Sequence, residues 1–265
     1  IALVTVFSNV ILFLAIVLPS SRNRTAHKSY RTFMFMSSMA VSDSILGALV
    51  MPLSVVPIIL NGTWDLGNVT CSGYLAVTNI VCSVNACHIL CMAVDKYIAV
   101  CRPLQYRLMK KRTIQFMICA SWLFPIALTL LLKINGIDNM GLEMRYKGML
   151  EESNFCFNNS SREVFVSYLI LSFYGPIIVT YILYARIFKE IWNTNRVRNK
   201  KTKIKNSERP STDSRIPRHI SRHMRAIRTI GCIVAAFTVS WIPTSLYLVT
   251  IRYIGYEQPM WSILL

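Results

Sequence analysis

The sequence predicts an all-α membrane protein, a bundle of seven transmembrane helices. Three observations predict it. The composition is too apolar for a soluble domain, with 54% hydrophobic residues, 15% charged residues and a mean hydropathy of +0.44 over 265 residues; soluble domains carry about 25% charge. The apolar residues gather into windows of bilayer length. The basic residues gather into loops on one side. The same composition excludes a disordered chain, a collagen-like repeat and a small disulfide scaffold. The net charge of +17, from 29 Lys+Arg against 12 Asp+Glu, points in so apolar a chain to basic loops beside a membrane rather than to a nucleic-acid groove.

A spanning helix needs about 20 mostly apolar residues. Six windows satisfy this, at 1–18, 32–60, 71–100, 114–132, 164–192 and 226–251. A seventh starts near Pro259 and stops at Leu265. The expectation is therefore a single domain over 1–265, with six full spans and the start of a seventh, truncated at both ends. The sequence does not open with Met, and no signal peptide is expected within it.

Loop charge sets the expected topology. Arg22, Arg24, Lys28 and Arg31 follow span one, and Arg102, Arg107, Lys110, Lys111 and Arg112 follow span three. The stretch 186–228 holds fourteen Lys or Arg. Basic loops stay in the cytoplasm, so the N-terminus is expected outside the cell. Residues 194–222, rich in Ser, Asn and cations, read as a flexible basic third intracellular loop.

Two features agree with that topology. Glycosylation acceptors occur at Asn61, Asn68, Asn158 and Asn159, all in loops placed outside; Asn23 carries a fifth acceptor pattern on the inside, where it is inert. Six of the eight cysteines, Cys82, Cys87, Cys91, Cys101, Cys119 and Cys232, fall in or at the ends of spans, as small packing residues do. Cys71 and Cys156 alone fall in the outside layer, where an oxidising environment pairs them. That bond ties the long loop before span five to the top of span three.

Ionisable residues inside a membrane are costly and functional. Asp43 in span two needs a cation, a proton or hydrogen-bond donors. Asn9 and Asn85 are the candidate donors, and sodium is the candidate ion. Asp95-Lys96-Tyr97 closes span three. Asp95 and Lys96 are sequence neighbours and share no helix face, so a contact between them requires the long Lys stem to bend back. Pro125, Pro176 and Pro243 each remove a backbone hydrogen bond from spans four, five and six.

These residues, in this order and one set per span, resemble the rhodopsin-like (class A) G-protein-coupled receptors over almost the whole chain. Asn9 matches the family Asn of helix one. Met39-Ala40-Val41-Ser42-Asp43 is similar to Leu-Ala-x-x-Asp of helix two. Asp95-Lys96-Tyr97 stands where the family has Asp-Arg-Tyr. Trp122 matches helix four. Ser172-Phe173-Tyr174-Gly175-Pro176 and Tyr184 match helix five. Phe237 with Ser240-Trp241-Ile242-Pro243 resembles Cys-Trp-x-Pro of helix six. Within the class, 95–106, 172–184 and 225–243 look most like biogenic-amine receptors. The helix-three Asp of those receptors is replaced here by Thr78, which brings no negative charge to an ammonium. Glu163 is the alternative carboxylate. A neutral ligand, such as a nucleoside, an indole, a lipid or a small peptide, is the other expectation.

The resemblance implies a plasma-membrane receptor that binds an extracellular small molecule between helices three, five and six. Its implied lining is Thr78, Asn79, Cys82, Tyr168, Ser172, Trp241, Thr244 and Ser245. Pro176, Phe237, Trp241 and Pro243 would form the switch around which helix six swings outward. Asp95, Lys96, Tyr97 and Tyr184 would face a heterotrimeric G protein, with arrestin and receptor kinases as further partners; Ser211, Thr212, Ser214 and Ser221 supply phosphate acceptors. Asp43 and Asn85 would hold an allosteric sodium ion, and no other cofactor is expected. Lys96 lacks the planar fork of Arg, and His223 stands where many amine receptors place a locking Glu, so the inactive lock is expected to be weak. Ala86 stands where the family has a bulkier residue against Pro176 and Phe237.

A transporter would need internal repeats and several intramembrane charges, whereas Asp43 is the one deep acid read from the sequence. A membrane enzyme would need clustered His, Asp or Glu. Of His27, His88, His219 and His223, only His88 lies inside a span, where it reads as a packed neutral residue. No Walker loop, zinc spacing or nucleophile–base pair is legible, so no enzymatic activity is expected.

Overall fold

The computed structural model describes residues 1–18, 26–60, 64–134, 156, 161–208, 231–232, 234–241, 243 and 246. Among them are helices and short connections, and no strand. Span one is Ala2–Val17. Span two is Ala26–Ile45 continued through a π-helical turn, Leu46–Val50, into Met51–Ile59. Span three is Asn68–Cys101, followed by a short helix, Pro103–Leu108. Span four is Lys111–Ile134. Span five is Arg162–Leu169, a second π-helical turn at Ile170–Tyr174, and Gly175–Glu208. The described residues between Gly231 and Leu246 are helical and belong to span six. The expected seventh span lies outside the described residues.

Four of these helices are long and apolar enough to cross a bilayer: Arg31–Ile59, Asn68–Cys101, Lys111–Ile134 and Glu163–Thr194. Ala2–Val17 is a shorter apolar helix. Their outward faces are apolar, with Leu3, Phe7, Phe116, Leu123, Ile178 and Phe188 all exposed. Such a surface suits lipid, where apolar exposure costs nothing. Spans three and four begin three residues before their apolar windows, and span five runs sixteen residues past its own, because hydropathy marks only the part inside hydrocarbon.

Span three is the central rod and packs against spans two, four and five, while span one packs on span two. Gly47 sets the last contact. A Cβ there would lie 2.9 Å from Val6 Cγ2 and 3.2 Å from Thr5 Cγ2, so only the smallest residue lets the two backbones approach.

Both π-turns end two residues before a proline, at Pro52 and Pro176. A proline in a regular helix presses its ring on the carbonyl four residues back and leaves that carbonyl unpaired. One extra residue widens the turn and relieves the clash. At the second turn the Gly175 N–H donates to Ile170 O, and a Cβ on Gly175 would meet that same oxygen at 3.0 Å. The sequence reading singled out Pro176 as an interruption but passed over Pro52.

The reading of 194–222 as a loop needs correction for its first part, because span five continues as helix to Glu208. No Gly or Pro falls between 177 and 208. The described helix ends at Glu208, and in the sequence Arg209 precedes Pro210, a position that disfavours helix. Residues 209–222 lie outside the described residues.

Two buried clusters fill the bundle. One joins Phe35, Ile89, Met92, Ile114 and Val234, with Tyr184 and Phe237 packed against it. The other joins Ala86, Phe173 and Ile177, with Tyr174, Phe237 and Trp241 packed against it. Phe237 of span six touches both.

Candidate functional site

At its first turn span three is held by the Cys71–Cys156 disulfide, with Cα atoms 5.5 Å apart, as the sequence reading expected. Nearby, Trp64 stacks on Tyr74 with ring centroids 5.5 Å apart, and Lys133 of span four reaches Ser72 Oγ at 2.6 Å. Asn68 is an exposed residue in the first turn of span three, while Asn61, Asn158 and Asn159 lie outside the described residues.

Below the disulfide, Thr78 and Asn79 are half-buried and Cys82 is buried. Thr78 donates to Tyr74 O at 2.7 Å, a bond within its own helix. Two of the implied lining residues are hydrogen-bonded within the bundle. The Tyr168 hydroxyl shares hydrogen bonds with Ser83 Oγ at 3.2 Å and Thr129 Oγ1 at 3.1 Å, joining spans three, four and five. Ser172 is fully buried and donates to Tyr168 O at 2.7 Å. Both hydroxyls are thus committed to protein partners. Glu163, the alternative carboxylate, is exposed. Thr244 and Ser245 lie outside the described residues.

Two of the four residues of the implied switch, Phe237 and Trp241, meet each other and Phe173. Phe173 lies 5.6 Å from Phe237 and 6.1 Å from Trp241 between ring centroids, and Phe237 lies 6.2 Å from Trp241. Edge and tilted contacts of this kind contribute about 0.5–1.5 kcal/mol each beyond their buried area. Pro176 is buried, and Pro243 is exposed on span six. Ala86 is fully buried against this group. Its small side chain leaves room that Phe173 takes, and the sequence reading gave Phe173 no role.

In the middle of the bundle, Asn85 Nδ2 donates to Asp43 Oδ1 at 2.7 Å. Ser42 donates in turn to Asn85 Oδ1. Asn9, the other expected donor, instead gives its amide to Thr5 O at 2.9 Å within span one. An unexpected chain lies alongside. His88 Nδ1 is 2.8 Å from Val84 O, and since a carbonyl only accepts, that nitrogen carries the proton. Nε2 then accepts from the Ser38 hydroxyl at 2.8 Å, and Ser38 Oγ accepts from Trp122 Nε1 at 3.0 Å. Three spans share one directional chain. The Ser–His contact is sealed in the bundle, with His88 fully buried, and serves packing.

At the other end of span three, Lys96 Nζ lies 2.8 Å from Asp95 Oδ2 and donates to Thr32 Oγ1 of span two at 2.7 Å. Both charged side chains are buried. The Lys stem thus bends back to its neighbour. Asp95 Oδ1 and the Tyr184 hydroxyl are buried without a partner among the described residues. Tyr97 is half-buried, and His223 lies outside the described residues. Arg31 completes this end: its guanidinium donates to Tyr106 O at 3.1 Å and Met109 O at 3.0 Å, and sits 4.1 Å over the Tyr106 ring. Burial, and then the Asp95 charge, push the Tyr106 phenol above its ordinary value, with Arg31 pulling it back.

The family model of the 7 transmembrane receptor (rhodopsin family) matches residues 8–260. The chain belongs to that rhodopsin family of seven-transmembrane receptors. It is therefore a multi-pass membrane protein of a family of receptors rather than enzymes. Among curated relatives, it is 29% identical to trace amine-associated receptor 1 of Mus musculus, over 84% of this chain and 65% of the relative. It is 27% identical to trace amine-associated receptor 9 of Rattus norvegicus, over 97% of this chain and 73% of the relative. It is 29% identical to trace amine-associated receptor 8c of Mus musculus, over 84% and 64%. The matched stretch thus spans about two thirds of each relative's length. Lys96, which by the resemblance stands at the family's helix-three Arg, pairs with Asp95 and donates to Thr32.

Proposed function

We propose that the chain is a plasma-membrane G-protein-coupled receptor, with its N-terminus outside, that binds a small extracellular ligand among spans three, five and six. One observation carries this reading: Phe237 packs at once against the Phe173–Trp241 group and against the cluster containing Met92 and Tyr184. A ligand beside Trp241 that favours one rotation of span six would thereby bias the end where Lys96 and Asp95 pair. Such a ligand shifts a population by its differential affinity for the two arrangements. Opening that end would expose Lys96, Tyr97 and Tyr184 to the G protein, and arrestin and receptor kinases would use the same face. The disulfide supports the orientation, because it forms in an oxidising space and lies at the end of span three opposite Lys96.

The relatives are named for trace amines, and an amine-class ligand is the first reading. A second reading is favoured by Thr78. Its hydroxyl stands where amine receptors carry the carboxylate, and neither Asn79 nor Cys82 supplies a charge, which suits a neutral ligand. A second-messenger screen of amines and neutral small molecules decides between them, on the full-length receptor and on Thr78→Asp. A hydrogen bond to a charged group is worth about 1.5–3 kcal/mol. An amine receptor that lacks this anchor should therefore gain about tenfold or more in amine potency from Thr78→Asp. Silence with every ligand and every G-protein class, at normal surface expression, overturns the receptor reading.

Asp43, Asn85 and Ser42 also present three oxygen-bearing side chains in one cluster, which supports sodium as an allosteric ion. Its binding would draw Asp43 away from the Asn85 amide. Sodium should raise the melting temperature of the wild type and leave Asp43→Asn unchanged.

A further inference from the structure

We propose that Asn79 of span three reads a carboxamide-type group on the ligand, a hydrogen-bond donor and an acceptor side by side. This deepens the neutral-ligand reading given under the proposed function and rests on it. Asn79 is half-buried and lies about two helical turns below Cys71, in the outer half of the span. The polar side chains around it on the same helix are all bonded: Ser72 accepts from Lys133, Thr78 donates to Tyr74 O, Ser83 pairs with Tyr168, Asn85 donates to Asp43, and His88 meets Val84 O and Ser38. Of the Ser, Thr, Asn and His side chains from Ser72 to His88, Asn79 alone has no hydrogen-bond partner among the described residues. A polar group inside a span is costly when unpaired. Asn9 meets that cost by giving its amide to Thr5 O, one turn back. Asn79 makes no such bond, so both its NH2 group and its carbonyl remain open to a visitor.

The helix fixes where that amide faces. Ser83 lies one turn below Asn79 and shares its face. Ser83 bonds to the Tyr168 hydroxyl, which bonds also to Thr129, so this face of span three looks toward spans four and five. Beneath Asn79 the hydroxyls are committed to one another, and the amide stands at their upper edge. An Asn side chain offers two N–H donors and one carbonyl acceptor. A carboxamide on the ligand can pair with both kinds at once. A ketone or an ester accepts from the NH2 group and leaves the Asn79 oxygen unpaired. An amine donates to the oxygen and leaves the NH2 group unpaired. A site with such groups rejects the analogue that strands one of them. An aromatic ring on the same molecule suits the Phe173–Trp241 group.

The test uses the full-length receptor in nanodiscs and four probes of similar shape: benzamide, acetophenone, methyl benzoate and benzylamine. Ligand-observed NMR gives the dissociation constant of each. Benzamide should bind about tenfold more tightly than acetophenone or methyl benzoate, the factor one further hydrogen bond supplies. Asn79→Leu should erase that preference. Asn79→Asp, acceptor-only when ionised, should move the preference to benzylamine. The unliganded Asn79→Leu receptor should melt no lower than wild type, because no bond in the bundle is lost. A lower melting temperature assigns the amide to packing and overturns the inference. So does a wild type that binds benzamide no better than its ketone and ester, or binds none of the four, and so does a preference that survives Asn79→Leu. Should Asn79→Leu fail to fold, the wild-type series and Asn79→Asp still decide. Benzamide that does not bind a receptor still signalling to another ligand sinks this inference alone. Benzylamine bound best by the wild type returns the site to the amine reading and leaves the receptor itself standing.

Discussion

The Lys96 ammonium donates to the Thr32 hydroxyl at 2.7 Å, across the gap between spans three and two. Its other contact, Asp95, is on its own helix. Thr32 is therefore the bond by which this ammonium ties span three to a second span.

Thr32→Val keeps the shape and removes the acceptor. A bond to a charged group is worth about 1.5–3 kcal/mol. If the bond belongs to the closed arrangement, ligand-free signalling should rise roughly tenfold or more, while Thr32→Ser stays near wild type. Second-messenger assays at matched surface expression check this. Unchanged basal signal in Thr32→Val would show that the contact does not hold the closed state.

The ion pair itself predicts a different pattern. Removing one partner strands a buried charge and costs about 3–5 kcal/mol. Asp95→Asn and Lys96→Met should each lower the melting temperature of the purified receptor sharply. The double variant, with no charge left to strand, should recover most of the loss. A double variant as unstable as the sum of the singles contradicts the pairing.

Tyr168→Phe deletes the hydroxyl shared by Ser83 and Thr129. Stability should fall by about 1 kcal/mol or more, because two buried hydroxyls lose a partner. Ligand potency should be unmoved once a ligand is in hand. A potency loss with unchanged melting would return Tyr168 to the ligand.

Gly47→Val tests the close approach of spans one and two. The added side chain would collide with Val6 and Thr5. Overpacking of this kind costs about 1–3 kcal/mol. Gly47→Ala should be milder, and a neutral Gly47→Val, read by thermal melting, is the result that contradicts the packing.

How much of this was legible follows from what sequence patterns measure. Apolar windows located the spans, because hydrocarbon thickness fixes their length. Cys71 and Cys156 were legible as the two thiols left in the oxidising layer. The Asn85–Asp43 contact followed from the need to satisfy a buried carboxylate. Asn9 did not follow, because an amide also finds a carbonyl one turn back in its own helix, and no pattern ranks the two. Tyr168 and Ser172 make hydrogen bonds to protein partners that no sequence pattern shows, because those partners come from other spans or from one turn back in the same helix. The π-turn at Ile170–Tyr174 inserts a residue, and one residue rotates a helix by about 100°, so facing on one side of the turn does not follow from facing on the other. The proline was the available warning, and Phe173 was the residue that the altered facing brought to the centre. The Ser38–His88–Trp122 chain was illegible because its members come from three spans, and only their packing brings them together.

The wide turn before Pro176 has a consequence for how such a chain diversifies. Deleting its surplus residue together with the proline would swivel the portion of span five on the Cys71 side and leave the portion beyond, with Thr180, Tyr184 and Ile187, where it is. The proposed function would thus place recognition and transmission on separately adjustable halves of one rod, so that chemical preference could be retuned at the mouth without disturbing the machinery at the base.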